Sequence, residues 1–341
     1  MNNSVKWLLK LFLTVAILGG IGWSLDIRSI VEFLPSFSPY AVAAGFAFAG
    51  LQLAFSAGRL CLIVGLFDRR LKLRDSLQVT IQSLFFAQTF ISFLGSDALR
   101  IWKIQRAGAP LPVAIEAVTL DRLTGVVVNH LLLVTSLPWL LFVVTDSRLK
   151  VGLIVLAAVG MAGIGVILAL GLLQGRTGLT KKLAERFDGN RLIPFLAQLS
   201  TIGRHFLAPR WALLQAGSLS LLVALMNSLI FFSLLYGWQI DLATAIGCAL
   251  IVPAILEIAM LPISIAGWGV REGVAIVAFG HLGVPAAVSF ATSVIFALIL
   301  LTLGLIGGLL WLVDAHEMRE LPRLDAIDQP QNPSIPPVRG P

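Results

Sequence analysis

An all-α polytopic membrane protein is the fold class predicted by three observations: an apolar composition, repeated runs long enough to span a bilayer, and basic residues gathered in short loops. The chain has 341 residues, 57% hydrophobic and 13% charged, with a mean hydropathy of +0.92. Soluble domains average about 25% charged residues. The formal net charge of +7 would suit nucleic acid, but the positive charges flank apolar segments, the pattern of cytoplasmic loops. A nucleic-acid partner is therefore excluded. Cys61 and Cys248 both stand inside apolar runs, which implies buried thiols and no disulfide framework. The expected layout is about six full transmembrane helices and about two re-entrant helical hairpins, arranged as an inverted repeat. It forms one membrane domain, 1–320, with repeat units 75–144 and 242–313, followed by a Pro-rich disordered cytoplasmic tail, 321–341.

Residues 7–25 form the first apolar run. Lys6 and Lys10 precede it as in a signal peptide, but Trp23-Ser24-Leu25-Asp26 offers no small-x-small cleavage site, so a retained helix is expected. A short loop with Asp26, Arg28 and Glu32 leads to a second run, 40–66, followed by Arg69, Arg70, Lys72 and Arg74. Residues 77–94 are long enough to cross. If they did, every later loop would invert and the most basic one, 174–210, would fall outside. If 75–106 instead enters and leaves on one face, turning near Gly95 and Ser96, the basic clusters all lie inside. Residues 113–144 then cross outward and 151–173 return. In 174–210, Leu179, Leu183, Phe187, Leu196, Leu199 and Phe206 give an intermittent apolar face, read as helix on the inner leaflet. Residues 211–236 cross outward, 242–281 form a second re-entrant hairpin from outside, and 285–313 return. Of the 25 Lys and Arg, only Arg28, Arg148 and Lys150 then lie outside, while Arg59, Arg122 and Arg271 lie at membrane depth. Both termini are cytoplasmic, in a cell (inner) membrane.

Residues 261–273, LPISIAGWGVREG, break the apolar pattern. Pro262 removes a backbone donor, and Gly267 and Gly269 weaken a helix. Arg271 and Glu272 are costly at membrane depth unless they pair or face water. A broken helix survives in a bilayer only where it is buried in protein or lines a cavity, so a polar site is expected here. Adjacent positions on a helix do not face each other, which sends Glu272 to a partner other than Arg271. Ile91-Ser92-x-x-Gly95 aligns with Ile263-Ser264-x-x-Gly267, Arg100 with Arg271 after a one-residue slip, and Gly108-x-Pro110 with Gly283-x-Pro285. One hairpin enters from each side, the plan of transporters whose substrate sits between two broken helices near the midplane.

The stretch LPISIAGWGVREG resembles the signature of the flippase-like membrane domain family, also called the lysylphosphatidylglycerol synthase transmembrane region. Gly95-Ser96-Asp97-Ala98-x-Arg100-Ile101-Trp102, continuing to Arg106 and Gly108, is similar to the family's Gly-Gly-Asp-x-x-Arg stretch, and Asp121-Arg122-x-x-Gly125 to its Asp-Arg-x-x-Gly motif. Ser92 stands where members often have proline, and Ser96 where they often have glycine. The likeness runs from residue 5 to residue 313. It implies movement of phospholipids or lipid-linked carriers across the membrane. Some relatives fuse this domain to a soluble lysyl-transferring synthase; the likeness here covers the membrane part, so no enzyme is implied.

Arg59, Arg100, Arg122 and Arg271 are the candidates for binding a lipid headgroup, because a guanidinium fork suits phosphate oxygens. A helix starting near Gly269 would add N–H groups and a positive dipole end. Structural roles compete with each of these. Arg271 and Glu272 could lock a hairpin, Arg100 could be a cytoplasmic flank, and Arg59 could snorkel to the inner headgroups. Ser96 could cap a helix with Asp97 in its first turn. Asp121 could pair with Arg59 or Arg271 and hold the repeats together, or carry a coupling proton. Glu257 is the most isolated acid and a candidate proton carrier, whereas His130 reads as a satisfied core residue. Asp97, Asp121, Glu257 and Glu272 are thus supporting or proton-coupling, and Gly95, Ser96, Pro262, Gly267 and Gly269 are helix breaks or hinges. The sequence holds no Gly-x-x-x-x-Gly-Lys-Ser/Thr loop, no metal-spaced His/Cys cluster and no Gly-x-Ser-x-Gly elbow, so no cofactor, metal or ATP drive is expected.

The reading is a transporter moving an anionic phospholipid or an isoprenoid-phosphate-linked precursor between leaflets by alternating access. Two alternatives stay open. One is an intramembrane enzyme acting on a lipid phosphate or sugar carrier through Asp97, Asp121 or Glu257. The other is a non-catalytic lipid-binding subunit. The expected partners are an anionic membrane lipid and a lipid-modifying enzyme.

Overall fold

The computed structural model describes residues 37–89, 92–177, 192–207, 211–261, 264 and 266–314. The expected first span at 7–25, the loop with Asp26, Arg28 and Glu32, Pro262 and the tail 321–341 lie outside the described residues. The described chain is all-helical: α1 (Pro39–Gly65), α2 (Leu73–Thr89), α3 (Ser92–Arg106), α4 (Leu111–Val143), α5 (Ser147–Thr177), α6 (Leu192–Leu207), α7 (Trp211–Gly237), α8 (Leu242–Ala259), α9 (Val270–Gly280) and α10 (Ala286–Asp314). Among them, α1, α4, α5, α7, α8 and α10 contain stretches long and apolar enough to cross a bilayer. Prolines stand in the first turn of two of these helices, Pro39 in α1 and Pro112 in α4, where a missing N–H costs nothing. Asp241 caps α8 by accepting from the Thr244 N–H at 3.1 Å. Cys61 and Cys248 are unpaired thiols.

Two copies of one four-helix unit account for most of this architecture. α1 and α7 each have 27 residues. Each is followed by a helical hairpin, α2–α3 or α8–α9, and then a long helix, α4 or α10. The links into those long helices match bond for bond. Gly108 and Gly283 adopt left-handed φ of +92° and +86°, which glycine tolerates without penalty. The Gly108 and Ala109 N–H groups donate to the Gln105 and Ile104 carbonyls, and the Gly283 and Val284 N–H groups to those of Gly280 and Phe279. Packing repeats as well. α2 on α10 corresponds to α8 on α4, α1 on α2 to α7 on α8, and α1 on α4 to α7 on α10. The equivalent helices α1 and α7 lie antiparallel. Ser220, early in α7, meets Arg59, late in α1, while Gly237 at the end of α7 abuts Ala41 at the start of α1. Equivalent helices running in opposite directions make the repeat inverted. Each unit is larger than 75–144 or 242–313, because the spanning helix before the hairpin belongs to it.

Several expectations are corrected. The first hairpin does not turn at Gly95 and Ser96; both lie inside α3, which packs on α2. A glycine inside a helix costs about 0.5–1 kcal/mol. Leu99 and Ile104 of the same helix are buried, and their packing against neighbouring helices offsets that cost. The matched links also reset the alignment of the hairpins. With Ile104 opposite Phe279, Arg100 falls opposite Ala275, and Asp97 falls opposite Glu272. In the second hairpin the break sits where glycines were expected. Gly267 and Gly269 have φ of +78° and +83°, and Ala266 beside them has +51°. The helical part of 174–210, α6, docks on α5 through backbone contact rather than only resting on a leaflet. A Cβ on Gly203 would lie 2.1 Å from the Ile167 carbonyl oxygen.

Candidate functional site

Asp121, near the start of α4, is wholly buried and ties the first unit together. Arg59 on α1 grips it with a two-pronged fork, Nε to Oδ1 at 2.8 Å and Nη2 to Oδ2 at 3.1 Å. Arg100 on α3 donates Nη1 to Oδ2 at 3.1 Å. The remaining donors reach further helices: Arg59 Nη1 to Ser220 Oγ on α7 and Arg100 Nε to Ser83 Oγ on α2, both at 3.1 Å. Gly125, one turn beyond Asp121, leaves space for the fork, since a Cβ there would lie 2.8 Å from Arg59 Nη1. Arg122 points to the other flank and donates Nη2 to Asp97 Oδ1 on α3 at 2.7 Å. The cluster sets three guanidiniums, Arg59, Arg100 and Arg122, against two carboxylates, Asp97 and Asp121, and so carries a surplus positive charge.

This cluster opens on a cavity of about 300 Å³, lined by Arg59, Arg100, Asp121 and Arg122 together with Ser56, Asn129 and Asn227. A second void of about 690 Å³ adjoins it and is apolar, with Leu132, Trp139, Leu229, Ile246, Leu250 and Pro253 in its walls. The polar cavity is walled by α1, α3, α4, α7 and α8, and the apolar one by α4, α7 and α8. Asn129 on the polar side donates Nδ2 to the Pro253 carbonyl on the apolar side at 3.0 Å.

Arg271 does not join the other three arginines. It is 3% exposed and forms a closed knot at the start of α9. Its Nη2 donates to Glu272 Oε1 at 2.5 Å and its Nε to Ser293 Oγ on α10 at 3.1 Å, while Ser293 Oγ donates to the same carboxylate oxygen at 3.1 Å. Glu272 Oε2 accepts from the Gly269 N–H at 2.5 Å. Glu272 therefore does pair with its sequence neighbour. At the first turn of a helix its side chain folds back to an N–H with no helical partner, and Arg271 bends to meet it over the Trp268 and Phe296 rings, 5.5 and 5.4 Å away.

Glu257 is not isolated. Its Oε1 lies 2.6 Å from His130 Nδ1, and His130 Nε2 lies 3.0 Å from the Ala157 carbonyl oxygen on α5. Asp121 has found Arg59, one of its two expected partners. Asp97 is not in a capped first turn, because α3 starts upstream at Ser92; it serves as the partner of Arg122. The sequence reading missed Ser83, Ser220, Asn227 and Gln52, which hold the guanidiniums or line the cavity. A signal was available. Gln52, Ser56 and Arg59, then Asp121, Gly125 and Asn129, recur at helical spacing and mark one polar stripe per helix. It also missed Asp314 at the end of α10, which accepts from Gln82 Nε2 at 2.8 Å and from Gln78 Nε2, with Lys103 Nζ at 3.8 Å.

An inverted pair of helical units, one of them holding a buried arginine–carboxylate cluster beside a cavity, defines a multi-pass membrane protein. The model of the lysylphosphatidylglycerol synthase TM region family matches residues 7–308, and the chain belongs to that family. No curated protein and no solved structure matches it.

Proposed function

We propose that this protein moves an anionic phospholipid, or an isoprenoid-phosphate-linked precursor, from one leaflet to the other. The observation that carries the reading is the shared wall. A cavity with surplus guanidinium charge and a larger apolar groove both take walls from α4, α7 and α8, and Asn129 of the first bonds Pro253 of the second. An amphiphile with a phosphate head and a hydrocarbon chain fits that pairing. The phosphate would be held by Arg59, Arg100 and Arg122, and a chain would lie along Leu132, Leu229 and Leu250. Membership of a family described by a lipid-modifying synthase's membrane region supports the same substrate class. The two inverted units, with α2–α3 and α8–α9 as re-entrant hairpins, would supply alternating access. Arg122 and Asp97 are the most open pair of the cluster, 30% and 24% exposed, and would part first. The drive would come from a gradient or from the lipid distribution itself. The protein would sit in the inner membrane with both ends cytoplasmic, beside the enzyme that makes or modifies the lipid.

Vesicles of phosphatidylethanolamine and phosphatidylglycerol, holding purified protein and a trace of fluorescent phosphatidylglycerol, test this. Wild-type protein should render the inner-leaflet probe accessible to an external quencher without changing its mass. Arg122→Gln should slow this about tenfold or more, the equivalent of one charge-assisted hydrogen bond. Unchanged movement in that variant would sink the headgroup assignment, and a probe of altered mass would show an enzyme instead.

A further inference from the structure

His130 and Glu257 meet across the two repeats, since α4 belongs to the first unit and α8 to the second. A carbonyl oxygen only accepts, so the His130 Nε2 facing Ala157 carries a hydrogen. Nδ1 and Glu257 Oε1 are then 2.6 Å apart, a separation that requires a hydrogen between them; without one, two lone pairs would face each other. That hydrogen belongs either to a carboxyl donating to neutral imidazole or to an imidazolium donating to carboxylate. Both descriptions contain the same single proton. The ring has nowhere to turn, because a Cβ on Gly160 would lie 2.0 Å from His130 Cε1. Glu257 is the half that can move. Its side chain is 16% exposed against 1% for His130, its Oε2 is buried without a hydrogen-bond partner, and its neighbours Leu256 and Met260 line the arginine cavity.

We infer that His130 and Glu257 form a proton-binding site whose occupancy decides whether the two repeats are bridged. With the proton bound, α4 and α8 are joined. When the proton leaves Glu257 for water in the cavity, a carboxylate faces an imidazole lone pair at membrane depth, with its second oxygen unpaired. Such a charge is not kept buried. Glu257 then swings towards the cavity and the bridge opens; a proton taken up from the cavity restores it. The surrounding charges are engaged elsewhere or stand at helix ends. On α4, Asp121 and Arg122 bind Arg59 of α1 and Arg100 and Asp97 of α3, and Glu116 lies 2.7 Å from His205 of α6. Arg271 and Glu272 of α9 pair with each other. α5 brings Arg148 and Lys150 at its start, α7 brings Tyr236 at its end, and α8 itself adds Asp241 at its cap and the buried Cys248.

The site stands apart from the transport reading, and only its coupling role rests on that reading. The first measurement therefore needs no lipid movement. Spin labels at Leu131→Cys on α4 and at Leu261→Cys, two residues past the end of α8, with Cys61 and Cys248 replaced by alanine, report the spacing of α4 and that end of α8. Between about pH 4 and about pH 9, which spans ordinary His and Glu titration, the wild-type site should shift from one short distance to a longer, broader distribution. Glu257→Gln keeps a donor for Nδ1 but has no proton to release, so it should hold the short distance throughout. A wild-type distance independent of pH, or a Glu257→Gln response like that of wild type, overturns the inference. In vesicles, Glu257→Gln should lose the pH dependence of probe movement and retain movement down a lipid gradient. A distance switch without any lipid movement in wild-type protein would leave the proton site standing and remove the transport reading.

Discussion

Asp121 accepts from two guanidiniums that are themselves shut away from water, with side chains 8% and 17% exposed for Arg59 and Arg100. A buried ion pair adds little net stability over an apolar replacement, but removing one partner strands the other at a cost of about 3–5 kcal/mol. Asp121→Ala strands two. Arg122 and Asp97 are more open, so solvent screens what is lost when that pair is broken. Thermal unfolding in detergent should therefore rank Asp121→Ala well below Arg122→Gln, which stays close to wild type. Equal midpoints would mean that the Asp121 cluster is hydrated and not structural. Arg271→Ala belongs with the first kind of change. It leaves the fully buried Glu272 carboxylate without its guanidinium partner, so the expected outcome is a poorly folded protein, distinguishable by size-exclusion profile from a folded but inactive one.

Helices cross closely here where glycine permits it. A Cβ on Gly307 of α10 would fall 2.1 Å from the Ile81 carbonyl oxygen of α2, and one on Gly203 of α6 would meet the α5 backbone. Neither neighbour is a flexible side chain that can step aside, and small residues at such crossings are what let membrane helices approach. Gly307→Leu should cost at least the ~1–3 kcal/mol typical of overpacking, read as a lowered unfolding midpoint. Gly280→Leu, where a side chain would meet open space, should not. The elements themselves were legible from apolar runs and from loops rich in Arg and Lys, and the second break from Gly267 and Gly269. The first turn was not, because Gly95 and Ser96 look like a loop in composition, while the burial of Leu99 and Ile104 keeps them helical. The Arg271–Glu272 pair was hidden for a related reason. The rule that adjacent side chains diverge describes the middle of a helix, and these two stand at its first turn, where the Gly269 N–H and Ser293 draw both inward. The Asp121–Arg59 contact was anticipated because both charges stand out against apolar surroundings; the hydroxyls that complete it do not.

The two units share a fold and differ in chemistry. Aligning α1 and α7 end to end sets Phe231 opposite Arg59, and the matched links before α4 and α10 set Phe296 opposite Asp121. The first unit thus has an ion pair where the second has stacked rings, 4.6 Å between centroids. A polar cavity is therefore built in one half and an aromatic core in the other, so the inverted repeat does not produce two equivalent sites. The direction of the helices fixes which ends share a side. Arg59 lies near the end of α1 and Asp121 near the start of α4, and they touch. The loop after α1 and the far end of α4 must then lie at opposite ends of the molecule. The end of α3, which returns beside α2, must lie with the loop after α1. Arg69, Ala107 and Ser147 are exposed positions in those three places. With the basic loop in the cytoplasm, Ser147→Cys should react with an impermeant maleimide in intact cells, whereas Arg69→Cys and Ala107→Cys should react only after permeabilisation. Labelling of Ala107→Cys from outside would mean that the α2–α3 hairpin crosses the bilayer. Labelling of Arg69→Cys and Ser147→Cys from the same side would contradict the packing of the end of α1 on the start of α4 through Arg59 and Asp121.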